Sequence, residues 1–414
     1  MYDFANSGYT TVILTAIFNS YFVGVIAASN TEPGHSTLLW TITMAIANAI
    51  VLLCAPILGA IADYSAAKKR FLLISTVGCV LFTATLSFVG PGDTVLAMIL
   101  VILATIMYAT SENLIAAFLP ELVPPEKMGR LSGYGWGIGY LGGLLTLGLC
   151  LLYIEWAKAR GYDASHYVPI TCLIVAAVFA LAAAPTLLWL QERTRAKEKL
   201  TPRGYIHAGY QRLRHTLKHT HQHPDLFRFL LTLIVYHSGI NTVIVLAAIY
   251  AQEVMAFKIE QTLILILVVN ATAAIGALIF GHLQDLIGSK QSLALTLVIW
   301  IIAISLAYSA TEPPQFWLSA NLIGLALGAS QSAGRAMIGQ LTPPERSGEF
   351  FGLWGMAIRL AAIIGPLSYG GITYYTHGNH RIALLSTLFF FITGLLMLIT
   401  VNQQRGKQAI CEKS

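Results

Sequence analysis

Long apolar runs alternate with short polar loops along the whole chain. Twelve runs stand out, near 2–28, 37–62, 71–90, 94–119, 132–154, 168–190, 226–250, 261–284, 291–310, 315–341, 350–375 and 381–401. Each approaches or exceeds the roughly 20 residues that a helix needs to cross about 30 Å of hydrocarbon. The fifth is broken up by glycines. A membrane barrel would instead alternate apolar and polar positions in segments of about ten. That pattern is absent, so the runs predict an all-α membrane protein with twelve transmembrane helices. Met1 leads straight into the first run with no basic stretch, which argues against a cleavable signal peptide. It also leaves that run without a polar anchor. A natural start further upstream, or an orientation set by later loops, is therefore expected.

Composition points the same way. Of 414 residues, 56% are hydrophobic and only 11% are charged, against about 25% charged in a soluble domain. The mean hydropathy is +0.69. Disorder is excluded by the apolar content. The five cysteines, at 54, 79, 150, 172 and 411, have no CxxC spacing, which excludes a disulfide scaffold.

Charge then sets the orientation. With both termini on one side, 19 of the 25 Lys and Arg residues fall in the loops and tail of that side. Lys158, Arg160, Lys258 and Arg381 fall on the other. Such a bias marks the cytoplasmic face. The net charge of +6 is thus a topology signal and gives no support for a nucleic-acid partner. The two remaining cations, Arg335 and Arg359, lie inside apolar runs. The longest polar stretch, 191–225, is basic and carries His207, His215, His219, His221 and His223. Ile206, Tyr210, Leu213 and Leu217 recur there at helical spacing, as in an amphipathic helix on the membrane surface. Its HTHQH run could bind metal, but a solvated basic linker is the better reading, and no metal site is expected.

The two halves of the sequence repeat. GAIADYSAAKKR follows the second run, with Gly59 and Asp63, and GHLQDLIGSK follows the eighth, with Gly281, Asp285 and Gly288. The two aspartates are 222 residues apart. LVPPEKMG at 122–129 and LTPPERSG at 341–348 are 219 apart. Two unrelated motifs at nearly one offset indicate parallel six-helix repeats. The expected organisation is a bundle over 1–190, a basic linker over 191–225, a second bundle over 226–401 and a tail over 402–414. Physically, each Gly allows close helix approach. Each Asp can cap a neighbouring helix N-terminus and pair with a loop cation, latching the halves.

These motifs resemble the inner-loop signature of the major facilitator superfamily, with Ala66 where the first copy would carry its second glycine. YDFANSGY at the start, FLPEL before VPPEKMGRLSGYGWGIGYLGG, and SQSAGR before LTPPERSGEFFGLW are similar to one branch of it. That branch is the family of the autophagy-related vacuole effluxer and its bacterial relatives. The resemblance covers essentially the whole chain. It implies two six-helix bundles around a central cavity, and amino-acid export in the eukaryotic members. Two departures stand out. Members usually carry a segment before YD(F/W)ANS, and their seventh span usually reads Y-x-D-G. Here Tyr236-His237-Ser238-Gly239 lacks the acid.

No P-loop, GxSxG or HExxH is present, so neither an ATP-driven pump nor an enzyme is expected. GYGWGIGYLGG contains GxGxxG, but no strand precedes it. Its glycines, Gly135 and Gly137 among them, read better as helix contacts. Ionisable residues within spans are the sharper markers, because burying charge in lipid is costly. Asp3, Glu112, His237, Arg335 and Arg359 are the candidates. Asn6, Asn48, Asn113, Asn241, Asn270 and Gln331 are their polar neighbours. By the repeat offset Glu112 matches Gln331, and Tyr140 matches Arg359. Acids sit in the N-terminal half and cations in the C-terminal half. One reading has Glu112 or Asp3 taking a substrate ammonium or a coupling proton, while an arginine clamps a carboxylate. The other has acid and arginine pairing across the halves as a gate, the reading preferred for Arg335, Gly59, Asp63, Gly281, Asp285 and Gly288. Asp3 could instead cap the first helix.

The expectation is a secondary transporter of a small polar, amino-acid-like solute, working by alternating access. Protons are a candidate coupling ion. No cofactor is expected, and a monomer in a bacterial inner membrane is. A transporter-shaped sensor or assembly partner is the rival, and sugars, peptides or drug-like solutes are the alternative substrates.

Overall fold

The computed structural model describes residues 1–27, 35–192, 204, 207, 208, 210, 211, 213, 214, 218, 223–257, 259–377, 379–403 and 405. Most of the histidine-rich stretch lies outside them, including His215, His219 and His221, as do Ile206, Leu217 and Cys411. The expected linker helix and its metal-binding alternative therefore also fall outside the described residues.

Each of the twelve runs is helical. They are α1 (Tyr2–Ile26), α2 (His35–Ser65), α3 (Lys68–Thr85), α4 (Thr94–Ala117), α5 (Met128–Lys158) and α6 (Ala164–Trp189) in the first half. The second half holds α7 (Pro224–Glu253), α8 (Ile259–Ile287), α9 (Ser289–Ser309), α10 (Pro313–Gln340), α11 (Ser347–Tyr375) and α12 (His380–Ile399). Among the described residues, eleven helices are long and apolar enough to cross a bilayer, and α10 is not one of them. The reason is burial. From Ala326 to Gln340 every residue but Gln331 is buried, so this stretch meets protein and can be built from Gly, Ser, Gln and Arg. A capping box of Glu312 and Gln315 starts α10.

α1 is irregular. It is α-helical to Tyr9, π-helical over Thr10–Ala16 and Phe22–Ile26, and broken at Ile17. Thr10, Thr15 and Ser20 turn their hydroxyls back onto main-chain carbonyls at 3.0–3.1 Å, which competes with the regular ladder.

Two hydrophobic cores form, one from residues between Tyr2 and Leu190 and one mainly from residues between Leu213 and Val401. They give two six-helix bundles that meet along two seams, α2 against α11 and α5 against α8. Glycine makes each seam possible. A Cβ on Gly59 would overlap the Gly348 carbonyl, and one on Gly281 would lie 2.8 Å from the Gly133 Cα. Gly352 against Ala55 and Gly137 against Leu278 extend the two contacts. Further along the same helices, a Cβ added at Gly148, Gly370 or Gly371 would meet no other element within 4 Å among the described residues. The seams thus tighten toward the face that carries the basic loops.

Candidate functional site

The tight end of each seam is closed by an aspartate, in two copies of one arrangement. Asp63, at the end of α2, accepts from the N–H groups of Gly348 at 2.9 Å and Glu349 at 2.8 Å, at the start of α11. Asp285, at the end of α8, accepts from the N–H of Arg130 at 3.2 Å, at the start of α5, with the Arg130 guanidinium 3.6 Å away. Each carboxylate therefore sits on the free N–H groups and positive dipole end of a helix from the opposite half. The copies differ in burial. Lys68, wholly buried, lies 3.5 Å from Asp63, pairs with Glu121 and donates to Ser347 Oγ at 2.9 Å. Its counterpart Lys290 donates to the carbonyls of Ile399 at 3.0 Å and Val401 at 2.6 Å. The counterpart of Glu121 is Gln340, which donates to the Pro125 carbonyl across the halves at 2.7 Å. The missing glycine also shows. Ala66 is held at φ 45°, where its counterpart Gly288 takes φ 92°.

Further from the basic face the halves meet through polar side chains. Arg359 on α11 donates to Glu112 on α4 at 3.3 Å and to Asn48 on α2 at 3.4 Å. Tyr108 donates to the other Glu112 oxygen at 3.0 Å. Tyr140 on α5 donates to Gln331 on α10. The repeat offset equates Glu112 with Gln331 and Arg359 with Tyr140. The two contacts are therefore symmetry copies, one charged and one neutral. Both members of the charged pair stay partly open, 16% for Arg359 and 22% for Glu112.

Arg335 and Asp3 form a further cross-half ion pair, at 2.9 Å. Arg335 also donates to Ser132 Oγ at 3.1 Å and the Ser132 carbonyl at 2.9 Å, and lies over the Trp136 ring. It is only 8% exposed. Asp3 makes no cap on the first helix, contrary to the alternative open at the sequence level. Gly135 and Gly139 let α5 lie against Asp3 closely enough for this contact.

Other candidates lie apart from these pairs. Asn113 is buried in the α4–α11 contact against Gly355. His237 is buried beside Tyr236 within the second bundle, and Asn241 donates to its carbonyl at 2.9 Å. Asn270 bonds within its own helix. Asn6 is buried, and neither amide atom has a hydrogen-bond partner among the described residues. Ser132, Trp136 and Tyr108 were not singled out from sequence, because neutral residues in apolar runs carry no charge signal. Lys68 reads with Lys69 and Arg70 as a loop cation beside Asp63, as it is at 3.5 Å, whereas Glu121 looks like an ordinary loop charge.

Comparison with known proteins fixes the family. Residues 34–410 match the family model described as Vacuole effluxer Atg22 like. The chain belongs to that family. It is 28% identical over 406 residues to the uncharacterized MFS-type transporter YxiO of Bacillus subtilis, covering 98% of this chain and 94% of that protein. It is 23% identical over 310 residues to autophagy-related protein 22 of Yarrowia lipolytica, covering 67% of this chain. That match spans only 51% of the fungal protein. The fold is similar to that of the human organic anion transporter MFSD10, with a TM-score of 0.73, 16% identity and 96% and 97% of the two chains covered. The protein is a multi-pass membrane transporter of the major facilitator superfamily.

Proposed function

We propose that the chain carries small zwitterionic, amino-acid-like solutes by alternating access, driven by a proton or solute gradient. The Glu112–Arg359 contact supports this reading. One charge comes from each half, both are partly open, and the arginine reaches its partner through one nitrogen only. A ligand carboxylate that meets both arms of the guanidinium gains over that single contact. Its ammonium takes Glu112 in place of the arginine. One zwitterion thus satisfies both charges and frees the halves from each other. Without substrate, Glu112 is the natural acceptor of a coupling proton. Arg335, tied to Asp3 and Ser132, serves as a gate rather than a substrate contact. In this picture residues 1–190 and 226–401 move as two bodies joined by 191–225, with 402–414 as a tail. The basic face is cytoplasmic, and the chain acts as a monomer in a bacterial inner membrane. The Asp63 and Asp285 caps hold that face shut.

Thermal unfolding of the purified protein against amino acids, peptides, sugars and organic anions tests the reading. Free amino acids should raise the midpoint, while their methyl esters and N-acetyl derivatives, each lacking one charge, should not. Arg359→Lys keeps the charge without the planar fork and should weaken binding at least tenfold, about 1.4 kcal/mol. A response to sugars with none to amino acids would overturn it.

A further inference from the structure

A cavity of about 710 Å³ opens on the basic face of the second bundle, among the ends of α7, α8, α9 and α12. It lies away from the Glu112–Arg359 and Asp3–Arg335 pairs, and the substrate exchange described above makes no use of it. Its wall has two chemistries. Arg228, Lys290 and Arg405 supply cations. The last residues of α8 and α12 supply apolar surface, with Leu286 82% and Ile399 68% exposed.

The cations are fixed from behind. Asp225 is buried and accepts from Arg405 Nε and Nη2 at 2.7 Å each, so Nη1 has no partner among the described residues. Arg228, half exposed, lies 3.8 Å from the same carboxylate. Lys290 spends two donors on the C-terminal carbonyls of α12, leaving its third. Two acids also line the cavity. Asp285 is occupied by the α5 N-terminus, whereas Glu126 is exposed. Buried Asp225 thus orients Arg228 and Arg405, the α12 carbonyls orient Lys290, and the cations hold the outer position.

We propose that this cavity seats the headgroup of an anionic phospholipid from the leaflet on the basic face. The phosphate would meet Arg228, Arg405 and Lys290, and the acyl chains would run along Leu286 and Ile399. Free phosphate shares the first chemistry but has no use for the apolar wall. A lipid uses both, and helix ends at the bilayer surface are where such headgroups lie. The occupant would sit beside Asp285, at one of the two caps that join the halves.

The test is thermal unfolding of the purified full chain in neutral detergent, titrated with phosphatidylglycerol, phosphatidylcholine or inorganic phosphate. Phosphatidylglycerol should raise the midpoint, less so at high salt, while the other two should not. Arg228→Gln should weaken the phosphatidylglycerol response about fivefold, as expected for one cation near an anionic headgroup. Glu126→Gln should strengthen it. Equal responses to the two lipids would overturn the proposal, as would a phosphatidylglycerol response that neither substitution changes. If inorganic phosphate alone reproduces the shift, the site takes a free anion and the lipid assignment fails. Should Arg228→Gln not fold, the Glu126→Gln arm decides.

Discussion

Asp63→Asn should open the basic face. In the closed arrangement Asp63 is nearly inaccessible and takes two helix N–H groups, at 2.9 and 2.8 Å. Asparagine keeps one acceptor oxygen and turns an NH₂ toward the other N–H. One charge-assisted hydrogen bond is lost, worth about 1.5–3 kcal/mol. The favourable carboxylate at the α11 N-terminus goes with it, about 0.3–1 kcal/mol more. Together these destabilise the closed state by about 2–4 kcal/mol. At about 1.4 kcal/mol per decade, the closed-to-open ratio falls roughly 30- to 1000-fold. Asp285→Asn should do less, about 1–2 kcal/mol, because the Arg130 N–H lies further off at 3.2 Å and its arginine is half exposed. Spin labels on Arg70 and Gln291, both exposed and in opposite halves, report the separation by double electron–electron resonance. The wild type should show mainly the short distance, and Asp63→Asn a large added long-distance population. Transport should slow while substrate affinity holds. An unchanged distance distribution, or a larger effect from Asp285→Asn, would refute the reasoning.

Two further outcomes follow from the backbone. Gly59→Ala drives a Cβ into the Gly348 carbonyl, which cannot rotate away. It should cost the closed seam about 1–3 kcal/mol and lengthen the same spin-label distance, whereas Gly148→Ala, with open space around it, should not. Ala66→Gly should raise thermal stability by about 0.5–1 kcal/mol, because Ala66 is held at φ 45°; a lower unfolding midpoint would contradict this.

Much of the architecture was legible because a bilayer imposes a simple rule on sequence. Eleven helices announce themselves by hydropathy. The tenth does so less, since α10 is lined by other helices and need not be apolar. The internal repeat carried more information than any single motif. Its offset paired Glu112 with Gln331 and Tyr140 with Arg359, and the structure joins these residues crosswise, Glu112 to Arg359 and Tyr140 to Gln331. The capping role of Asp63 followed from residue type and position. Which N–H groups it caps did not, because they lie 285 and 286 residues away on the other half. A cross-half acid–arginine gate was the preferred reading for Arg335, but that its acid is Asp3 was not legible, since Asp3 could equally have capped its own helix. The π-helical turns of α1 left no sequence signal beyond a cluster of hydroxyl and β-branched residues.

The central claim, that Glu112 and Arg359 exchange each other for the two ends of a substrate, is tested most directly by swapping them. Proteoliposome uptake should be measured for Glu112→Gln, Arg359→Gln and the double variant Glu112→Arg with Arg359→Glu. Each single change strands a partly buried charge and should reduce stability, and the swap should restore stability by re-forming the pair. Uptake should stay lost in the swap, because the reversed charges hold a zwitterion the wrong way round against Asn48 and Tyr108. Uptake by the swapped protein at the wild-type rate and affinity would contradict the account and leave the pair a structural gate.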